Sequence, residues 1–181
     1  IEQTSINGWS YDDLAFQIKS DLYTRQVLGD KPNNFQDTLQ APQSKLAKDM
    51  MKERYKLKGQ IKTVSNIACE YIITSDKQFF EEIGEEETKR YFETAYNFVT
   101  EYKNLGEQYI MSAKVHMDEE TPHMHLIFLP IVHTTDKKGN NIDKLACSEF
   151  WKEKDSYRRL QDAFYQYMTS HNFELERGVP K

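Results

Sequence analysis

The sequence predicts an α+β fold, an antiparallel β-sheet with helices packed on one face. Three observations carry this. Two apolar stretches, QYIMSAKVHM at 108–117 and PHMHLIFLPIV at 122–132, are joined by the short polar connection DEET, the pattern of neighbouring antiparallel strands. Two long segments, about 85–103 and 149–171, repeat apolar residues at helical spacing. No repeat, low-complexity tract or linker interrupts the 181 residues, so a single domain over 1–181 is expected.

In chain order, Ser10 is an N-cap for a helix over about 11–27, with Leu14, Ile18 and Leu22 on one stripe. GDKPNN at 29–34 is a loop. A second helix is expected from about Pro42 to Lys58. Residues 43–62 hold Lys45, Lys48, Lys52, Arg54, Lys56, Lys58 and Lys62 against Asp49 and Glu53, seven positive charges against two. A solvated helix face and a phosphate-meeting patch both fit that run. ACEYIITSD at 68–76 is a buried strand ending in a turn, and DKQFFEEI starts a short helical piece. The helix from about Glu85 to Lys103 opens on three glutamates, which suit the positive end of its dipole. Phe92, Ala95, Tyr96, Val99 and Tyr102 form its core stripe. TTDKKGNN at 134–141 is a surface turn, and the last helix places Tyr157, Leu160, Phe164, Tyr167 and Met168 on one stripe. NFELERG closes the chain as an extended segment.

The composition is that of a globular protein, with 38% apolar and 29% charged residues. No apolar run approaches the roughly 20 residues a membrane crossing needs, and no signal-peptide pattern opens the chain. Cys69 and Cys147 stand far apart and give neither a disulfide framework nor metal-ligand spacing; a reduced, cytoplasmic setting is expected. The net charge of −5 gives no global pull toward nucleic acid, so any such binding needs a local patch.

HMDEETPHMH at 116–125 gathers three of the five histidines. On a strand, His123 and His125 point to one face about 6.6 Å apart. The tight connection brings His116 opposite them, so three neutral imidazoles can form a facial tripod for a divalent ion with positions left for substrate. Glu119 is a general base, a metal ligand or an orienter of an imidazole; Asp118 and Glu120 read as turn residues. His133 would lie roughly 26 Å along an extended strand from His125 and is not expected to be a ligand. His171 is expected to be a capping or surface residue. Three imidazoles leave the ion open: affinity order favours Zn²⁺, while phosphoryl chemistry runs with Mn²⁺ or Mg²⁺.

HMDEETPHMH followed by LIFLP resembles the metal-binding motif of the MobV-type plasmid mobilisation relaxases, the Mob/Pre family within the HUH endonucleases. EYIITSDKQFF, FFEEIGEEETKRYFETAYNFVTEY, SAKVHMDEETPHMHLIFLPIV and SHNFELERG extend the likeness over about 62–178, with 1–61 matching loosely. The resemblance implies an HUH-type relaxase domain that nicks one strand of plasmid DNA at an origin of transfer, taken as a single strand or hairpin. The enzyme stays attached to the 5′ end and later rejoins the strand. It assigns His116, His123 and His125 to a divalent cation, Mn²⁺ or Mg²⁺ with Zn²⁺ as the alternative. Glu119 matches a family acidic residue that assists the nucleophile. The basic residues of 43–62 become backbone contacts, and a dimeric full-length protein is expected. The family nucleophile is a histidine in an N-terminal segment followed closely by Asn and Arg. No histidine precedes His116, so the nucleophile is expected upstream of Ile1, in a chain that is N-terminally incomplete.

Rival readings remain open. In tyrosine-type HUH replication initiators a tyrosine on a helix after the metal motif attacks; Tyr157, Tyr165 and Tyr167 lie on such a helix, and Tyr165 is off the apolar stripe. A small metal-dependent hydrolase unrelated to DNA, or a DNA-binding module with a structural ion, would use the same histidines.

Overall fold

The computed structural model describes residues 7–9, 52–61, 66–117 and 120–177. The expected helix at 11–27, the loop at 29–34 and most of the basic helix at 42–58 lie outside the described residues. So do Lys45, Lys48, Lys62, Asp118 and Glu119.

The strands are β1 (Asn7–Trp9), β2 (Ala68–Thr74), β3 (Ile110–His116), β4 (His123–Phe128), β5 (Ile131–Thr135) and β6 (Asn141–Leu145). The helices are α1 (Lys77–Glu101), α2 (Cys147–Phe150) and α3 (Ser156–Ser170). One sheet runs in the order β1-β2-β4-β3, and β5 pairs with β6. The α+β expectation of antiparallel strands with packed helices holds. The chain divides into two compact units, one from the described parts of 1–7, 70–127 and 151–181, the other from the described parts of 8–69 and 128–150.

In the first unit, strand alternation sorts the side chains onto two faces. Tyr71 and Ile73 of β2, Met111 of β3, and Met124 and Leu126 of β4 are buried. Phe92 and Tyr96 of α1 stand with Ala113, Val115 and Met124 around one groove, so this is the helix-covered face. Glu70, Ile72 and Thr74, Ser112, Lys114 and His116, and His123 and His125 take the opposite parity.

Helix α1 opens on Asp76, whose carboxylate accepts the Phe79 N–H at 2.8 Å. Gly84 breaks it at φ 78°, ψ 174°, where the two expected helical pieces meet. Only glycine takes that backbone without strain, and an added Cβ would meet nothing within 4 Å. Gly84→Ala is therefore expected to cost about 1–2 kcal/mol through the backbone alone, seen as a lowered urea midpoint at unchanged slope.

The core stripe of α1 differs from expectation. Phe92, Ala95 and Val99 are buried, but Tyr96 and Tyr102 are half-buried, and Tyr91 and Phe98 fill the core instead. The buried arc of the helix includes the residues just before the expected ones, and a phenol tip keeps its polar partner: Tyr96 donates to Glu107 at 3.1 Å. Tyr91 meets Phe80, Phe92 and Phe173 at ring distances of 5.3, 5.2 and 5.4 Å. Its hydroxyl donates to the Thr74 carbonyl at 3.2 Å, and burial pushes the phenol well above its usual range.

The last helix begins at Ser156 rather than at 149, because Asp155 sits at φ 60° and ends the preceding turn. Ser156 donates to the carbonyls of Trp151 and Glu153 at 3.0 and 2.8 Å. Leu160, Phe164 and Met168 are buried as expected, and Phe164 meets Phe98 at 5.2 Å. Tyr157, expected on the stripe, is 56% exposed: the late start leaves it in the first turn, against Trp151. Tyr167 donates to Glu101 of α1 at 3.1 Å. His171 caps the helix end and stays exposed, as expected.

In the second unit the expected strand over 122–132 breaks at Leu129–Pro130, since proline offers no N–H to a ladder. β5 and β6 then pair with His133 opposite Asp143. His133 Nδ1 meets Asp143 Oδ1 at 2.5 Å, so this imidazole serves the hairpin. Asp136 closes the turn by accepting from the N–H groups of Lys138 and Asn140 at 2.8 and 2.9 Å. The Asn140 side-chain amide donates as well, at 2.9 Å. These bonds, the Asn140 side chain first, hold the Asp136 carboxyl below its ordinary 3.8. A carboxylate with a lowered folded value stabilises above its unfolded value and loses that contribution as pH falls through the lowered one. Asp136→Ala is thus expected to melt below the parent at pH 7, with the gap closing in titrations taken below pH of about 4.

Residues 52–54 are helical and a turn follows at 55–56, with Lys56 at φ 52°. The basic helix therefore ends four residues before Lys58, whose N–H donates to the Asp143 carbonyl at 2.8 Å. Arg54, Lys56 and Lys58 are exposed and Lys52 is half-buried. Cys69 and Cys147, far apart in sequence, bring their sulfurs to 3.8 Å.

Candidate metal centre

The motif 116–125 folds as expected in its main feature. β3 ends at His116 and β4 begins at His123, so a six-residue connection turns the chain back beside itself. The three imidazoles meet on the face opposite α1. Ring centroids are 5.0 Å apart for His116 and His123, 5.5 Å for His116 and His125, and 5.2 Å for His123 and His125. All three are half-buried, an environment that a solvent ion can reach.

Two of the rings are oriented by partners that fix their tautomers. His123 Nδ1 lies 3.0 Å from the Thr121 carbonyl, which can only accept, so Nδ1 carries the proton and Nε2 the lone pair. His125 Nδ1 lies 2.7 Å from Glu70 Oε1, with the same consequence. A carboxylate behind an imidazole fixes its tautomer and its ring plane, which is how protein ligands are held toward divalent ions. Thr74 donates to the Pro122 carbonyl at 2.7 Å and pins the connection to the end of β2.

Glu70 is the residue that sequence reasoning missed. Its side chain is only 12% exposed, an unusual place for a carboxylate without a partner. The signal was present: a lone charge inside the apolar strand ACEYIIT. Its partner, 55 positions away, was not.

The donor set suits a divalent ion: three imidazoles from two adjacent strands, two of them with Nε2 as the lone-pair nitrogen. Among the described residues no three His, Cys, Asp or Glu side chains already stand in joint coordinating positions. The rings are gathered, with centroids 5.0 to 5.5 Å apart. The expected basic contacts Lys52, Arg54, Lys56 and Lys58 belong to the second unit. Tyr165 is half-buried on α3.

An antiparallel sheet clad by helices on one side and carrying a histidine cluster on the other is the fold of the relaxase domains. Solved structures of the MobM relaxase domain bound to pMV158 oriT DNA match it. One, with 26 nucleotides, gives a TM-score of 0.67 at 31% identity over 98% of this chain and 90% of that one. Another, a Mn-bound crystal structure, gives 0.66 at 29% identity over 98% and 89%. The Mob_Pre family model, described as plasmid recombination enzyme, matches residues 30–181. The chain belongs to this family. The plasmid recombination enzyme of Streptococcus agalactiae is 38% identical over 134 residues, and that of Lactiplantibacillus plantarum 39% over 109. Those spans cover 74% and 60% of this chain but 25% and 27% of the relatives, so the chain matches about a quarter of their length.

Proposed function

We propose that this chain is the metal-binding part of a relaxase that nicks and rejoins one plasmid strand at an origin of transfer through a covalent 5′-phospho-protein link. In this reading 1–181 acts as one relaxase domain, in a cytoplasmic protein that works as a dimer. The observation that carries the reading is the imidazole trio on one sheet face, with His125 backed by Glu70. His116, His123 and His125 would hold the ion through ring nitrogens. Mn²⁺ suits three imidazoles better than Mg²⁺, which prefers carboxylate and water oxygens, and the Mn-bound state of the MobM domain agrees; Zn²⁺ is the competitor. When bound, such an ion polarises a non-bridging phosphate oxygen and stabilises the charge of the displacement.

The chain's own residues do the remaining work. Glu70 keeps the His125 proton on Nδ1 throughout, so that ring presents a lone pair. Glu119 assists the attacking group. Storing the phosphodiester energy in a side-chain link lets the strand be rejoined. Lys45, Lys48, Lys52, Arg54, Lys56, Lys58 and Lys62 meet the backbone of single-stranded or hairpin origin DNA. The test is nicking of a supercoiled plasmid carrying the cognate origin by the full-length, nucleophile-bearing relaxase of this reading, with Mn²⁺ titrated in. Nicking that persists at full rate in excess chelator would overturn the reading.

Lys114 adds a phosphate contact that the motif did not suggest. It is exposed and shares the histidine parity two residues before His116. Lys114→Ala is expected to weaken binding of origin single strand and to lower the log K against log salt slope by about 0.7. Arginine at this position restores the slope, and Mn²⁺ affinity stays as in the parent.

A further inference from the structure

The second unit holds a pair of sulfurs that the metal centre does not use. Cys69 is the second residue of β2 and is fully buried, while Cys147 begins α2 two residues after the end of β6 and is half-buried. Their Sγ atoms are 3.8 Å apart across 78 positions of sequence, which is van der Waals contact between two sulfurs. A disulfide needs that gap closed to about 2.05 Å, and rotation of the half-buried Cys147 side chain is the available motion.

We propose that Cys69 and Cys147 are a modification site, a dithiol that closes reversibly to an intramolecular disulfide when the chain meets a low-molecular-weight disulfide such as oxidised glutathione. The accessible thiol reacts first. Cys147 Sγ, having lost its proton to solvent, attacks one sulfur of the oxidant, forms a mixed disulfide and expels the other half as a thiolate. Cys69 then gives up its proton and attacks Cys147 Sγ, forming the protein S–S bond and releasing the second small thiol. Two protein thiols are oxidised by two electrons, and one small disulfide is reduced to two thiols. The asymmetry assigns the roles: Cys147 receives the oxidant and the buried Cys69 resolves it. The contact of Cys69 with Cys147 also holds the Cys147 thiol below its ordinary pKa, which favours the attacking thiolate. The bond would tie the start of β2 to the first residue of α2, closing a long loop, and should raise the melting temperature by about 5 °C or more.

The test uses the whole chain, without metal or DNA, so its outcome is independent of the relaxase reading. The folded protein is equilibrated with oxidised glutathione, alkylated and read by intact mass and peptide mapping. The expected result is loss of both alkylatable thiols, a single peptide pair joined through Cys69 and Cys147, the upward melting shift, and full reversal by dithiothreitol. Cys69→Ser should stop at a stable glutathione adduct on Cys147, and Cys147→Ser should leave Cys69 unreacted in the folded state. Two thiols still alkylatable after oxidation, or a bond formed only between separate chains, would overturn the proposal.

Discussion

His125→Ala is expected to lower Mn²⁺ affinity by at least about 100-fold with the fold intact, and, in a relaxase that carries the nucleophile, to abolish ion-dependent nicking. The size follows from the geometry. His125 sits at 5.5 and 5.2 Å from its two neighbours, so its loss leaves two imidazoles for an ion that needs three protein donors and an open position. The fold survives because the ring is 35% exposed and packs on the open face of the sheet, where truncation opens no internal cavity. Titration calorimetry with MnCl₂ measures the first effect and a melting curve the second. Parent-like affinity in this variant would show that the ion binds elsewhere.

Glu70 should be nearly as costly, by a different route. It touches no ion; it holds the His125 ring by a 2.7 Å bond from a largely buried position. Glu70→Ala leaves the Nδ1–H of His125 without that acceptor, and the ring is then free to turn or to change tautomer. Losing the carboxylate behind a ligand histidine lowers metal affinity by about 10–100-fold. Glu70→Gln should fall between alanine and parent, since its amide oxygen still accepts the proton but carries no charge. That ordering separates positioning from bulk stability: a merely structural Glu70 would shift melting in both variants and leave Mn²⁺ binding where it was.

Local pattern made much of this molecule legible in the sequence. Period-two alternation around HMDEETPHMH was enough to place three imidazoles on one face, because strand geometry leaves no other arrangement for His123 and His125. The helical stripes located α1 and the buried half of α3. What escaped depends on partners distant in the chain or on single backbone angles. The Glu70–His125 bond and the Cys69–Cys147 contact join residues 55 and 78 positions apart, and periodicity carries no information at that range. The late start of α3 rests on one residue, Asp155 in the left-handed region, inside a run whose apolar spacing reads as helix throughout. Pro130 was visible, yet an apolar run on both sides of it looked like one strand rather than two strands of different sheets.

The strand order has a mechanical consequence. Two of the three rings ride on β4, which has a hydrogen-bonded neighbour on each side, whereas His116 ends β3, which among the described strands has one. The spacing of His123 and His125 is therefore set by a single strand braced on both sides, whereas the distance from His116 to them depends on how β3 pairs with β4. Changes that loosen or brace the β3–β4 pairing should therefore retune ion preference without altering any donor atom.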